Sequence, residues 1–120
     1  MIATEILNNA LNLLGYSENN ANSNLTQNIR SQAIPIINLI YAELSRNCDL
    51  KNTLIKSLND EIKLPERVLS EIMPCGVAMY IANTLGDSGA QAFWGAEYNS
   101  KRATLSQLTQ IVDTVPNIGG

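Results

Sequence analysis

Histidine is absent from this chain of 120 residues, and with it go the commonest general base and the commonest metal ligand. Any catalytic reading must therefore begin from carboxylates. Cysteine occurs only as Cys48 and Cys75, without the Cys-x-x-Cys spacing of a redox or zinc site, and both are expected as reduced, small apolar groups. Lys and Arg total eight against eleven Asp and Glu, for a formal charge of −3, whereas nonspecific nucleic-acid affinity comes from neutralising phosphates with basic side chains. No apolar run approaches the roughly eighteen residues of a membrane helix. The opening Met1-Ile2-Ala3-Thr4-Glu5 has no basic segment before an apolar stretch and no small-residue cleavage site, so the chain is expected in the cytoplasm.

What is present suits one globular domain. Hydrophobic residues make up 45% and charged residues 16%, and a chain of this length buries about two-thirds of its unfolded surface. Ala3, Ile6, Leu7, Ala10, Leu11 and Leu14 recur at steps of three and four, which predicts a first amphipathic helix closed by Gly15. Tyr16 to Asn24 is polar and predicts a surface loop with a mobile tip. Thr26 is placed to cap a second helix with an inward stripe of Ile29, Ala33, Ile36, Ile37, Ile40, Tyr41 and Leu44. Pro35 interrupts that helix by crowding the carbonyl of Ser31, and either kinks it or divides it in two.

Two more helices follow from Leu64 to Ala103. Pro65 suits a first helical position, Gly86 supplies a left-handed residue, and Asp87 and Ser88 are placed to cap the next helix, with Ser88 and Gln91 at capping-box spacing. Pro74 repeats the argument of Pro35 against the carbonyl of Ser70, and Gly76 suits a crossing point of two helices. Ala90, Phe93, Trp94, Tyr98, Leu105 and Leu108 mark the expected buried face of the last helix. Between Cys48 and Lys63 the periods conflict. Leu54, Leu58 and Ile62 recur every four residues, yet Ile62 and Leu64 alternate around Lys63.

Few residues invite chemistry. Asp60 with Glu61, or Glu66 with Glu71, would be the carboxylates for a divalent cation, but adjacent carboxylates diverge on a helix and a spacing of five leaves a common face. Gly86-Asp87-Ser88-Gly89 leads into a helix N-terminus as a phosphate loop would, without the Lys of a P-loop or a preceding strand. A helix-turn-helix is a better rival, yet Gly89-Ala90-Gln91-Ala92-Phe93-Trp94 offers one polar side chain where base-reading residues would cluster. No catalytic, cofactor-binding or metal-binding residue is assigned. Glu97 and Lys101 form an ordinary pair one helical turn apart.

The order Leu64-Pro65, Pro74-x-Gly76-Val77-Ala78-Met79, Ile81-Ala82, Gly86-Asp87, Phe93 and Tyr98-Asn99-x-Lys101-Arg102-Ala103 resembles the small head-tail connector (adaptor) proteins of tailed phages and prophages. The likeness is densest from Leu58 to Ala103. It extends to Leu13-Leu14-Gly15-Tyr16 and to Asn38-x-Ile40-Tyr41-x-Glu43-Leu44. Cys75, where an aromatic residue is expected, and Gly95 inside the last helix depart from it.

The residues together predict an all-α fold, a small bundle of four main helices at roughly 3–14, 26–46, 65–85 and 88–110. An irregular connection joins helices two and three, and a flexible C-terminal tail follows. The domain is drawn as 1–112 and the tail as 113–120, where Pro116 opposes a continuing helix and the closing glycines are unrestrained. The resemblance implies a ring, often dodecameric, between portal protein and tail or stopper protein in the virion neck. Packaged double-stranded DNA passes through it without sequence-specific binding, and no reaction, cofactor or membrane is involved. The resemblance also implies that residues 48–63 reach toward a neighbouring subunit, with Leu54, Ile55, Lys101 and Arg102 as inter-subunit candidates. Asp113, Val115, Pro116 and Ile118 are the portal-docking candidates, because apolar residues flanking a proline in a free end suit folding onto a partner. The rival classes are a small acidic helical protein-binding regulator and a helix-turn-helix DNA-binding protein.

Overall fold

The computed structural model describes residues 1–16 and 24–119, the side chains of 24–26 and 106–119 excepted. Its elements are α1 (Ala3–Leu13), α2 (Asn24–Asn47), α3 (Met73–Thr84) and α4 (Ser88–Gly119). Among the described residues the only extended pairing is one antiparallel bridge between Ile2 and Glu61. The chain is thus an all-α bundle of four helices, with an irregular connection between the second and third. No helix among the described residues is long and apolar enough to cross a membrane.

The first two helices follow their stripes. α1 buries Ala3, Ile6, Leu7, Ala10 and Leu11. It ends where Gly15 takes a φ of +89°, with the amide of Tyr16 donating to the carbonyl of Leu11 at 2.9 Å and that of Gly15 to Asn12 at 3.0 Å. That pair of bonds is a Schellman closure. α2 buries Ile29, Ala33, Ile37, Ile40, Tyr41 and Leu44, with Ile36 only partly covered. Pro35 does not divide it, for the helix is continuous and Pro35 lies on its exposed side. There the ring faces water, which can satisfy the carbonyl it orphans. The expected loop of residues 17–23 and the Thr26 cap lie outside what is described.

The connection from Cys48 to Leu64 has almost no regular hydrogen-bond ladder and is held by side chains instead. Asn38 grips Ile55 twice, accepting from its amide at 2.8 Å and donating to its carbonyl at 3.1 Å, as a neighbouring strand would. Thr4 donates both its amide, at 2.9 Å, and its hydroxyl, at 2.8 Å, to the carbonyl of Leu58. The amide of Lys63 donates to the Tyr41 hydroxyl at 3.0 Å. Asp60 caps the bend by accepting from the amides of Lys56 and Ser57 at 2.8 and 3.1 Å, and these bonds hold its carboxyl below the usual aspartate value.

Pro74 is accommodated by a local change of helix type. The segment Val68–Ile72 is π-helical and runs straight into α3, with the amide of Met73 donating back to the carbonyl of Val68. The wider turn seats Pro74 within the first turn of α3, where a missing N–H does least harm. α3 itself is buried on nearly every side from Met73 to Ala78, so it is the central rod.

α4 packs back on α3 after the turn at Gly86, whose φ is +75°. Asp87, rather than Ser88, caps α4, its carboxylate accepting from the amide of Ala90 at 3.1 Å. The Ser88–Gln91 capping box therefore does not form; the amide of Gln91 donates instead to the main-chain carbonyl of Asp87 at 3.0 Å. The inward face runs through Trp94, Gly95, Tyr98, Lys101, Arg102 and Leu105. Phe93 is one step off it and is 57% exposed, which corrects its placement in the core, and Trp94 is only partly covered. The helical backbone continues past the expected end near 110, to Gly119.

Two glycines set the distance between these rods. A Cβ on Gly76 of α3 would stand 2.8 Å from Cε1 of Tyr98 and 2.9 Å from Cδ1 of Ile40, whereas one on Gly95 of α4 would meet the Met79 sulfur at 3.2 Å. Each helix thus offers a gap to a large side chain of the other. Gly76→Ala is expected to lower stability by about 1–2 kcal/mol, because overpacking against a locked aromatic ring outweighs the ~1 kcal/mol gain in helix propensity. Gly95→Ala should change it by less than ~1 kcal/mol, since Met79 can shift. Urea unfolding midpoints of the two variants check the order.

Candidate functional site

The described residues offer a groove, an exposed apolar tip and a clasp between helices. The first surface is a groove of about 670 Å³ where the C-terminal half of α1, the π-helical turn and α4 meet. Leu13, Pro74 and Trp94 make its apolar part, and Cys75 lies at its base. Asn9, Asn12, Ser70, Glu71 and Lys101 supply the polar rim. Phe93 stands beside the groove residue Trp94, edge to face, with ring centroids 4.7 Å apart. It extends the apolar area outward.

The second surface is the tip of the connection. Leu50 and Leu54 are exposed there, Leu54 at 65%. Ile55, the next residue, is 4% exposed and belongs to the core of its own subunit, which removes it from the inter-subunit candidates. Extended backbone turns successive side chains to opposite faces, so the bond from Asn38 that buries Ile55 is what turns Leu54 outward.

Lys101 and Arg102 do not form a free basic patch. Arg102 donates to Glu43 of α2 at 2.7 Å and to Asn99 at 3.2 Å, and its guanidinium carbon lies 5.2 Å from the centroid of the Tyr98 ring. The Glu43–Arg102 pair is half-buried, so it ties α2 to α4 more firmly than an exposed pair would. Lys101 points along the groove wall, with its ammonium 3.4 Å from the carbonyl of Glu71, 3.9 Å from the Cys75 sulfur and 4.0 Å from Glu97. Both residues thus serve their own subunit first.

Burial pushes the Cys75 thiol up, against the pull of the Lys101 ammonium, and burial raises the half-covered Cys48 thiol as well. Neither is an activated nucleophile. Tyr98 is 1% exposed and its hydroxyl has no hydrogen-bond partner among the described residues. The Arg102 guanidinium near it eases ionisation without bonding to that oxygen in good geometry. Burial, reinforced by the Glu43 carboxylate, wins, and holds the phenol above the usual tyrosine range.

No family model, characterised protein or solved structure matches this chain.

The remaining sequence candidates are scattered or out of view. Glu66 and Glu71 are both exposed, Glu71 pairing with Arg67 at 3.2 Å. Among the described residues no three Cys, Asp or Glu side chains converge on a point that could hold a metal ion. The opening turns of α4 expose Ser88, Gly89, Ala92, Phe93 and Ala96, with Gln91 half-buried, so base-reading side chains do not cluster there. The side chains of Asp113, Val115, Pro116 and Ile118 lie outside the described residues. Asn38 and Glu43 entered the sequence reading only as letters of the resemblance, and neither their bonds to Ile55 and Arg102 nor the groove was found from it. A lone Asn or Glu beside an apolar stripe carries no signal of a partner many residues away.

Tyr98→Phe removes a buried hydroxyl that lacks a partner, so it should leave stability unchanged or raise it by up to ~1–2 kcal/mol. The pH dependence has a definite sign. A phenol held above its ordinary value of 10.0 contributes stability that is complete below that pH and is lost as pH rises through the raised value. Denaturant unfolding at neutral pH and above about 10 should show an alkaline loss in the parent chain that the variant reduces.

Proposed function

We propose that this chain is a structural subunit of the head-tail connector of a tailed phage, assembling as a ring beneath the portal and extending the DNA channel toward the tail. The observation that carries this reading is where the resembling residues sit. Pro74, Gly76, Ala78, Ile81, Ala82, Gly86, Asp87 and Tyr98 build a single unit, the α3–turn–α4 pair with its Gly76 crossing. They are the residues that set how two rods meet, so the likeness is one of construction rather than of scattered identities.

The two surfaces support the same reading. A closed ring of identical subunits needs two different, mutually fitting faces on each copy. An exposed apolar tip at Leu54 and a separate, partly apolar groove give the subunit two different faces of the kind such a ring requires. Weak contacts between them suffice, because subunits seated on a symmetric template meet their neighbours at high effective concentration. The net charge of −3 suits a wall that duplex DNA slides past without sticking. In this reading the virion neck is the site of action, the portal and a tail or stopper protein are the axial partners, and the copy number is that of the portal ring, commonly twelve.

Residues 113–120 are proposed to dock on the portal through Asp113, Val115, Pro116 and Ile118. Deletion of these eight residues should leave the helical circular dichroism and the unfolding transition of residues 1–112 in place and abolish co-sedimentation with portal rings of the same phage. Undiminished co-sedimentation removes tail docking. A defined one-to-one complex with another helical protein, and no ring on any portal, replaces the connector with the regulator reading.

A further inference from the structure

We propose that Cys75 of α3 and Lys101 of α4 form a redox cross-link site, at which hydrogen peroxide entering the groove joins Sγ to Nζ through a sulfur–nitrogen bond. The site follows from the pair itself and does not rest on the connector reading.

The two side chains stand where such a bond needs them. Cys75 lies on the central rod and Lys101 on the helix packed against it, 26 residues further along, with Nζ 3.9 Å from Sγ. Both also donate to one acceptor, the Glu71 carbonyl of the π-helical turn, the thiol at 3.5 Å and the ammonium at 3.4 Å. The ammonium is held by long contacts only, its ion pair with Glu97 spanning 4.0 Å. A lysine so held reaches the sulfur by rotating its own flexible stem. Cys75 is 2% exposed, yet it and Lys101 both line the groove of about 670 Å³, which admits a molecule as small as peroxide.

The reaction runs in two balanced steps. The Cys75 thiolate attacks one peroxide oxygen, a sulfur–oxygen bond forms, the oxygen–oxygen bond breaks, and the departing hydroxide takes up a proton as water. This leaves a sulfenic acid. The Lys101 amine, its ammonium proton lost to solvent, then attacks that sulfur. A sulfur–nitrogen bond forms, the sulfur–oxygen bond breaks, and water leaves with one hydrogen from the amine. The pair is oxidised by two electrons, and one peroxide is reduced to two waters. Two thiols of a reductant reverse it, restoring thiol and amine as they become a disulfide.

Burial pushes the Cys75 thiol up, with the Lys101 ammonium opposing it and Glu97 adding to it, so the first step is slow. The second is fast by comparison, because a tethered amine acts at an effective concentration that no free nucleophile reaches. Cys48 follows the end of α2 and does not line the groove, so an amine rather than a second thiol is the nucleophile at hand. Once formed, the bond pins α4 to α3 one residue from the Gly76 crossing.

The test treats the full chain with hydrogen peroxide and reads the intact mass and the digested peptides. The expected product has lost two hydrogens, joins a peptide bearing Cys75 to one bearing Lys101, and returns to the starting mass with dithiothreitol. Its urea midpoint should lie above that of the untreated chain, because the bridge restricts the unfolded state. Cys48→Ser should bridge as the parent does. Lys101→Arg keeps the positive charge and removes the primary amine, so it should fold with unchanged circular dichroism and carry Cys75 on to the sulfinic acid. Sulfinic Cys75 without a bridge in the parent, the bridged mass in Lys101→Arg, or a disulfide through Cys48 overturns the proposal. So does a Cys75 that peroxide leaves unmodified while the chain stays folded, or a bridge that retains an oxygen between nitrogen and sulfur.

Discussion

The close seat of Tyr98 over Gly76 is the contact on which the arrangement of this molecule depends. Without a side chain at Gly76, the aromatic ring of α4 comes to rest against the backbone of α3, and Ile40 of α2 reaches the same spot. Three helices therefore meet over one missing methyl group. Once α4 is held at that distance, Gly95 must make room for Met79. Arg102 is brought across the Tyr98 ring to Glu43, and Trp94 comes to flank the groove. Packing at near-crystalline density explains why so small a feature governs so much, since neighbouring side chains have no slack with which to absorb a change.

The polar clasp beside that seat has a different character. Glu43, Arg102 and the Tyr98 ring form a half-buried cluster whose members partly compensate one another. Breaking it from one side would strand a charge, which is worse than never having built it. It also ties Arg102 to its own subunit, with the guanidinium only partly covered.

Some of this was legible in the residues alone. α1 and α2 bury one stripe each, and the three-and-four rhythm of Ile6, Leu7, Ala10 and Leu11, or of Ile37, Ile40, Tyr41 and Leu44, is a direct image of that face. Gly15 and Gly86 announced their turns because only glycine enters the left-handed region cheaply. The end of α2 was less visible, because Asp49 takes the same conformation with a φ of +56° and closes the helix in glycine's place. Phe93 and Trp94 were misassigned together for a physical reason. Adjacent helical residues, about 100° apart, can share a wide buried stripe, as Ile40 and Tyr41 do, but the stripe of α4 centres on Gly95 and Tyr98, which leaves Trp94 at its edge and Phe93 outside it. Pro74 was legible as a disturbance, but the π-helical turn that absorbs it was not. The connection and the groove stayed hidden for one shared cause. Their order comes from side chains distant in sequence, such as Asn38 and Thr4, and local periodicity has no access to those.

The hold of Asn38 on Ile55 touches main-chain atoms alone. An amide that reads only peptide groups is indifferent to the letters around it, so the outward residues from Leu50 to Leu54 can be rewritten without loosening the latch. Position 55 must stay apolar to remain buried, and Asn38 must stay an amide. Between those anchors Ile40, Tyr41 and Leu44 belong to the core, but residues 50–54 are free to diversify, and a lineage meeting a changed neighbour can adjust the fit there while the helical scaffold beneath is inherited unaltered.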